Sequence, residues 1–488
     1  VVFSNNLLAG AGGQATGYDI EQSIRFNDGD TPSLSRTIGT PTSTQKFTFS
    51  TWIKPCTFFN DTNSRAIFSA ATSGNSSSDR DIIGWENDVL YVAFNTGSWA
   101  EIKTNQVFRD PASWYHIVVA MDTTQSTAGN RTKIYVNGSQ VTDFSTASYV
   151  AQNDTIAICT SGKLQAIGAY AFNINSTNDR IDGYLAEINF VDGSQLAPAN
   201  FGETSNTTGQ WVPVKYTGSY GNNGFYLKGQ DSSALGDDTS GNGNDFTSSG
   251  LTSADQMLDS PTDNFTTFNP IGSCNVSGQA LTLSDGNLRS SAGGTSNAIE
   301  AVGTIAPTTG KYYAEFTLNA APQLSNQYPA IGIIGIDLNI TGGNNLNNAS
   351  FFGYLPSGNK LSGGSSSSYG DTYGNGDIIG IALDLDNQKI YFSKNGTYQN
   401  SGDPAAGSNA AFTNLVAGTE YRFCVSHAGS SATDVTMNAG QSAFNTAAPT
   451  GFSPMSTANL PDPSISDSGD YFQTVLYTGN NSDGHAIT

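Results

Sequence analysis

The chain has 488 residues, of which only 12% are charged and 11% aromatic, with 54 glycines. Few charges and many turn residues suit a turn-dense all-β protein; long helices would need more Ala, Leu, Glu and Lys, and strand-length apolar runs argue against disorder. The formal net charge of −21 repels nucleic-acid phosphate and anionic lipid, so neither nucleic acid nor a membrane is an expected partner.

Residues 1–22 form a Gly/Ala-rich arm whose first apolar residues, Phe3, Leu7 and Leu8, are the candidates for attachment to a larger particle. The segment lacks the basic start and long apolar core of a signal peptide, so lysis or a particle is the expected way out of a cell. No apolar run approaches the roughly 20 residues of a membrane span. Residues 23–202 read as a first β-sandwich, with strand-like runs at 23–26, 47–53, 66–68, 89–94, 115–120 and 181–191. The run at 133–136 closes on Asn137-Gly138, and both central residues of a type I′ hairpin turn need φ > 0, which Asn and Gly tolerate best. Residues 203–300 read as a connector containing an Asx/Gly-rich loop at 235–245. A second sandwich is expected over 301–455, with runs at 311–316, 330–336 and 378–385, and a near-copy of the first hairpin closing on Asn395-Gly396. The run at 420–425 reads as its last central strand. Residues 456–488 begin as a proline-rich linker and end on an echo of 214–218 at 475–479, as though a further module starts there. The expected class is all-β: tandem antiparallel β-sandwich (jelly-roll) domains joined by extended linkers.

Chemistry is sparse. Cys56, Cys159, Cys274 and Cys424 show no metal-ligand spacing, and buried free thiols are expected over a disulfide framework. A retaining glycosidase needs two carboxyl groups about 5 Å apart. Glu187 has Asp182 and Asp192 nearby in sequence, but a five-residue offset puts them on the opposite face of a regular strand. The three histidines are His116, His427 and His485; His116 sits inside a strand run, and the abundance of Ser makes a Ser neighbour of His427 uninformative. No catalytic residue is assigned, and the protein is expected not to be an enzyme. Calcium is the one cofactor candidate: Asp237, Asp238, Asn242, Asn244 and Asp245 offer hard oxygen ligands among glycines, with a plain Asx-rich turn as the competing reading. Asp28 and Asp30 are a weaker second set. Trp99, Tyr369 and Tyr373, flanked by Gly, Ser and Ala, are the candidate glycan-stacking aromatics on loops; capping the sandwich ends is the alternative.

The stretches at 49–55, 114–118, 134–138 and 182–187 resemble successive strands of a laminin-G, concanavalin-A-like jelly roll, and those at 311–316, 376–380 and 392–396 resemble a SPRY-type sandwich. The connector at 255–265, the tail at 457–463 and the segment at 470–479 are similar to multi-domain tail-fibre proteins of marine bacteriophages. That resemblance implies a non-enzymatic virion protein, often a homotrimer, bound to tail adaptor or nozzle proteins and supporting adhesion to host cell-surface glycan. It also implies a chain that runs on past Thr488. A capsid-decorating head fibre or cement protein is the alternative, and a polysaccharide depolymerase a more distant one.

Overall fold

A computed structural model of the chain describes residues 18–58, 63–72, 79–206, 208–272, 281–293, 295–320, 328–336, 345–429 and 431–462. Phe3, Leu7, Leu8, Cys274, His485 and the expected further module lie outside the described residues.

In the first half the strands are β1 (Ser23–Phe26), β2 (Ser33–Thr37), β3 (Lys46–Pro55), β4 (Arg65–Ala71), β5 (Arg80–Glu86), β6 (Val89–Asn95), β7 (Trp99–Val107), β8 (Tyr115–Asp122), β9 (Thr132–Val136), β10 (Ser139–Gln140), β11 (Phe144–Ala147), β12 (Leu164–Ile167) and β13 (Gly183–Asp192). They are followed by β14 (Gly202–Thr204), β15 (Trp211–Pro213), β16 (Phe225–Leu227), β17 (Thr247–Ser249) and β18 (Gln256–Met257). One sheet runs β10-β9-β8-β3-β13-β1-β18, with β16 also on β13; the facing sheet runs β11-β7-β6-β5-β4-β12-β2-β17. Alternate residues point inward, so Phe47, Phe49, Phe68, Trp85, Phe190 and Phe225 meet between the sheets. The Phe49 and Phe68 rings stack at 4.7 Å. Each such side chain removed from water stabilises the fold by about 1.5–3 kcal/mol.

The second half contributes β19 (Leu281–Ser284), β20 (Arg289–Ala292), β21 (Thr295–Val302), β22 (Lys311–Ala320), β23 (Ala330–Gly335), β24 (Phe351–Tyr354), β25 (Asn359–Ser362) and β26 (Ser365–Ser368). β27 (Ile378–Asp384), β28 (Lys389–Lys394), β29 (Thr397–Tyr398), β30 (Tyr421–Gly429), β31 (Thr433–Asn438) and β32 (Ser453–Pro454) complete it. Its sheets run β19-β20-β31-β22-β27-β28-β29 and β21-β30-β23-β24-β25-β26. The run at 420–425 is not the last central strand. β31 follows it and lies between β20 and β22, its inward Val435 and Met437 alternating with polar neighbours. The protein is nearly all β, built of antiparallel sandwiches, and no described helix is long and apolar enough to cross a membrane.

Both Asn-Gly hairpins have the expected backbone, with φ of 46° and 78° at Asn137-Gly138 and 49° and 81° at Asn395-Gly396. Each Asn also grips the strand beside it: Asn137 Oδ1 accepts from His116 N, and Asn395 Oδ1 from Ile378 N, both at 2.8 Å.

The stretch between the sandwiches is extended but packed. β15 pairs with β14, β16, β17 and β18 join the first sandwich, and β19, β20 and β21 join the second. Residues 254–265 press against the first sandwich, where Lys54 reaches Asp259 at 2.7 Å, and Phe268 enters the second core. The β19–β20 turn docks on the same face: Tyr184 Oη donates to Gly286 O at 2.6 Å, and Asn287 Nδ2 to Cys56 O at 2.6 Å. A Cβ on Gly286, which has φ of 68°, would lie 2.2 Å from Tyr184 Oη, so this contact needs glycine. Cys56, Cys159 and Cys424 are free and buried.

Candidate functional site

Trp99 is the first residue of β7, not a loop residue. Period-2 alternation sends Ala100, Ile102 and Thr104 inward and leaves Trp99, Glu101, Lys103 and Asn105 on the outer face of the sheet. Trp99 is 37% exposed. Its indole Nε1 donates to Glu101 Oε2 at 2.8 Å, which fixes the ring along the strand. Arg80, from the start of β5, places its guanidinium 5.2 Å from the Trp99 ring, 4.6 Å from Phe172 and 5.7 Å from Tyr170. A weakly hydrated cation among three ring faces holds the aromatic group together. Lys103 Nζ sits 2.7 Å from Glu86 Oε1 and 5.0 Å from the Tyr91 ring. The result is an outer face with one exposed indole, flanked by paired charges and floored by Ala66, Ile82 and Ala93. An indole face with hydrogen-bonding groups beside it suits a sugar, which offers C–H groups on one side and hydroxyls around its rim.

The other two candidate aromatics do not join it. Tyr369 and Tyr373 are buried in the second core, their rings 5.5 Å and 5.0 Å from that of Tyr354. The Tyr373 hydroxyl meets the carbonyl of Tyr354 at 2.7 Å. The flanking glycines and serines turn the chain there, while the rings go inward because their hydroxyls stay hydrogen-bonded on burial, Tyr373 donating to Tyr354 O and Tyr369 accepting from Phe392 N.

The calcium candidates form a closed turn. Asp238 Oδ1 accepts from Tyr226 N and Ser240 N, and its Oδ2 from Ser240 Oγ and Asn244 N. Asp245 Oδ1 accepts from Asp238 N. Asn242 and Asn244 turn their Nδ2 donors to the Gly224 carbonyl at 2.9 and 2.8 Å, and Asp237 is exposed. Donors, not open oxygens, fill the centre. Asp28 and Asp30 fall in a short 3-10 turn where Asp30 accepts from Asn27 Nδ2 at 2.7 Å. Among the described residues no group of three or more His, Cys, Asp or Glu side chains can hold a metal ion.

The two described histidines, His116 and His427, are structural. Trp211 Nε1 can only donate, and it lies 2.9 Å from His116 Nδ1. The proton therefore sits on Nε2, which donates to Ser50 Oγ at 2.9 Å and cannot take a proton from it. Burial pushes His116 down to about 3. His427 sits between Thr433 Oγ1 at 2.7 Å and Ser290 Oγ at 2.9 Å, and burial pushes it down to about 4. Neither ring has the orienting carboxylate of a hydrolase triad.

Glu187 departs from the regular-strand expectation. β13 bulges between Ala186 and Asn189, with Glu187 at φ 51°. Its carboxyl is nearly buried at the bottom of a pocket of ≈ 260 Å³, accepting from Tyr226 Oη at 2.6 Å and Tyr18 Oη at 2.9 Å. Burial raises its pKa. Asp192 is engaged elsewhere, accepting from Thr42 N and Asn223 N. The carboxyl thus ties Tyr18 to the sandwich.

Residues 27–199 match the model of the concanavalin A-like lectin/glucanases superfamily, and residues 311–442 that of the SPRY domain. The chain carries both domains. Similar solved structures include the SPRY domain of human HERC1, at 19% identity over 36% of this chain and 99% of that one, with a TM-score of 0.29. The native heptameric SAP-like pentraxin from Limulus polyphemus is 21% identical over 37% of this chain and 80% of that one, with a TM-score of 0.28. A human SPRY domain is 13% identical over 33% and 97%, with a TM-score of 0.26. No curated protein matches the chain.

The concanavalin A-like match contains the whole Trp99 face. Arg80, Glu101, Lys103, Tyr170 and Phe172 were not singled out from sequence. The alternation of residues 99–105 was available to find Glu101 and Lys103, but Arg80 and Phe172 reach Trp99 only through strand order.

Proposed function

We propose that the protein is a non-enzymatic adhesin that binds glycan on the outer face of its concanavalin A-like domain, with Trp99 as the stacking platform. The exposed indole held by Glu101 and Arg80 carries this reading, and the lectin-like character of the domain supports it. The SPRY domain acts as a second rigid block locked to the first. A single exposed ring gives weak binding, which several copies on one particle convert to avidity. The similarity of the connector and tail segments to phage tail-fibre proteins supports a virion location, with the part of the arm that precedes Tyr18 on tail proteins and the sandwiches toward the host surface, in a homotrimer. A glycan-array screen of wild type and Trp99→Ala tests the binding role; signal that persists in the variant defeats it. Immunogold labelling of purified virions tests the location: label on the tail supports the fibre, label on the head makes it a capsid decoration.

A further inference from the structure

A groove lies where the two sheets of the first sandwich meet at one edge, between the β9–β10 hairpin and the ends of β7 and β11. It encloses ≈ 650 Å³ and is lined by Asn105, Gln106, Gln140, Thr142 and Asp143 over a floor that includes Val136 and Val141. Asn105 belongs both to this groove and to the outer row of β7 that begins at Trp99. Six residue steps of extended strand separate the two, about 20 Å at the usual strand rise.

We propose that Trp99 and this groove are two ends of one elongated site that takes an internal stretch of a neutral polysaccharide, several linked hexoses long. The inference rests on the Trp99 reading above and adds ligand length, charge and a second contact region. The geometry carries the length. A single sugar on Trp99 cannot touch Asn105, whereas a chain laid along β7 passes Glu101 and Lys103 and arrives in the groove.

The polar inventory carries the charge. Along the row each ion already has a partner: Lys103 with Glu86, Arg80 with three rings, Glu101 with the indole, and Asp143 Oδ1 with Asn105 Nδ2 at 2.6 Å. The chain's net charge of −21 repels a polyanion. In the groove, Gln106, Gln140 and Thr142 make no side-chain hydrogen bond to another described residue, so neutral donors and acceptors face outward without competing ions. Amides and hydroxyls over a valine floor match sugar hydroxyls, which both donate and accept, and sugar C–H faces.

The test is calorimetric titration of the full chain with neutral oligosaccharide ladders (gluco-, galacto-, manno- and xylo-type), from monosaccharide to hexasaccharide. For the type that binds, the hexasaccharide is expected to bind at least about tenfold more tightly than the disaccharide. The double variant Gln106→Ala/Gln140→Ala is expected to lose that increment while keeping disaccharide affinity, and Trp99→Ala to lose both. Equal affinity for di- and hexasaccharide, with Trp99 still required, overturns the elongated site and leaves the Trp99 reading standing. A length increment that survives the double variant also overturns it. If no ladder member binds while charged glycans do in a Trp99-dependent manner, the neutral-chain assignment is wrong; if nothing binds at all, the Trp99 reading falls with it.

Discussion

Lys54 Nζ stands 2.7 Å from Asp259 Oδ2 with both side chains essentially sealed from water, at 1% and 0% exposure. The ammonium also donates to Asn264 Oδ1 at 2.7 Å and to Phe265 O at 3.3 Å, while Trp114 Nε1 donates to Asp259 Oδ1 at 3.1 Å. Lys54 is on β3 of the first sandwich and its partners belong to the segment leading to the second, so this buried pair locks the passage between them. Burial raises the Asp259 pKa, and Lys54 pulls it back only partly.

Lys54→Met is therefore expected to destabilise the protein by about 3–5 kcal/mol, because it strands a buried carboxylate. The double variant Lys54→Met/Asp259→Leu should recover much of that loss, since the penalty lies in the unpaired charge. Urea denaturation of the three proteins checks both, and a double variant no better than the single one would assign the loss to packing instead.

Gly286→Ala is expected to cost more than Gly241→Ala. Both have positive φ, 68° and 92°, but a Cβ at 286 meets Tyr184 Oη at 2.2 Å whereas a Cβ at 241 meets nothing within 4 Å. The backbone penalty alone is about 1–2 kcal/mol at either site, and overlap adds roughly 1–3 kcal/mol at 286. Thermal melts of the two variants should show the 286 variant lower; equal shifts would mean that Tyr184 gives way freely.

His116 links stability to pH with a defined sign. Its native pKa of about 3 lies below the ordinary value of 6.5. Between those values the unfolded chain binds a proton that the native ring refuses, so this residue costs stability as pH falls, by about 1.4 kcal/mol per unit. His116→Gln loses stability at pH 8 but removes this term. Its deficit against wild type should shrink between pH 6.5 and pH 4 in urea titrations, and a constant deficit would show that the ring is protonated normally in the fold.

Asp238→Ala is expected to lower stability by roughly 1–3 kcal/mol, because its two oxygens satisfy the backbone N–H groups of Tyr226, Ser240 and Asn244. Calcium addition or chelation should leave the melting temperature of the wild type unchanged, since those oxygens are already occupied. A rise on calcium addition that Asp238→Ala abolishes would restore the turn as a cation site.

Tyr373→Ala should cost about 3–5 kcal/mol as a core truncation, whereas Trp99→Ala should cost less than about 1 kcal/mol as an exposed one. Paired melts would expose an error in either placement.

Much of this protein is written locally. The short apolar runs at 115–120 and 378–385 specify strands because their length suits a strand buried on both faces, and almost every residue of β8 and β27 is buried. Asn137-Gly138 and Asn395-Gly396 specify their turns because few other residue pairs adopt two positive φ values in succession. The all-β class and both sandwiches follow from such signals. Other properties were decided only when distant strands met. β31 gained its central place from β20 and β22, which lie far from it in the chain. Tyr369 and Tyr373 read as exposed among serines and glycines, yet the space beside Tyr354 and Phe392 drew them inward. Glu187 reads as a regular strand residue, and a bulge turned it under Tyr18 and Tyr226. Trp99 stayed outside because its inward neighbours Ala100 and Ile102 filled the core side, and Arg80 and Phe172 came to it from strands and turns that local sequence cannot pair. Local chemistry determines which conformations a segment can adopt. Burial and hydrogen-bond satisfaction, which exist only in the assembled sheets, determine which side chains remain free to meet a ligand.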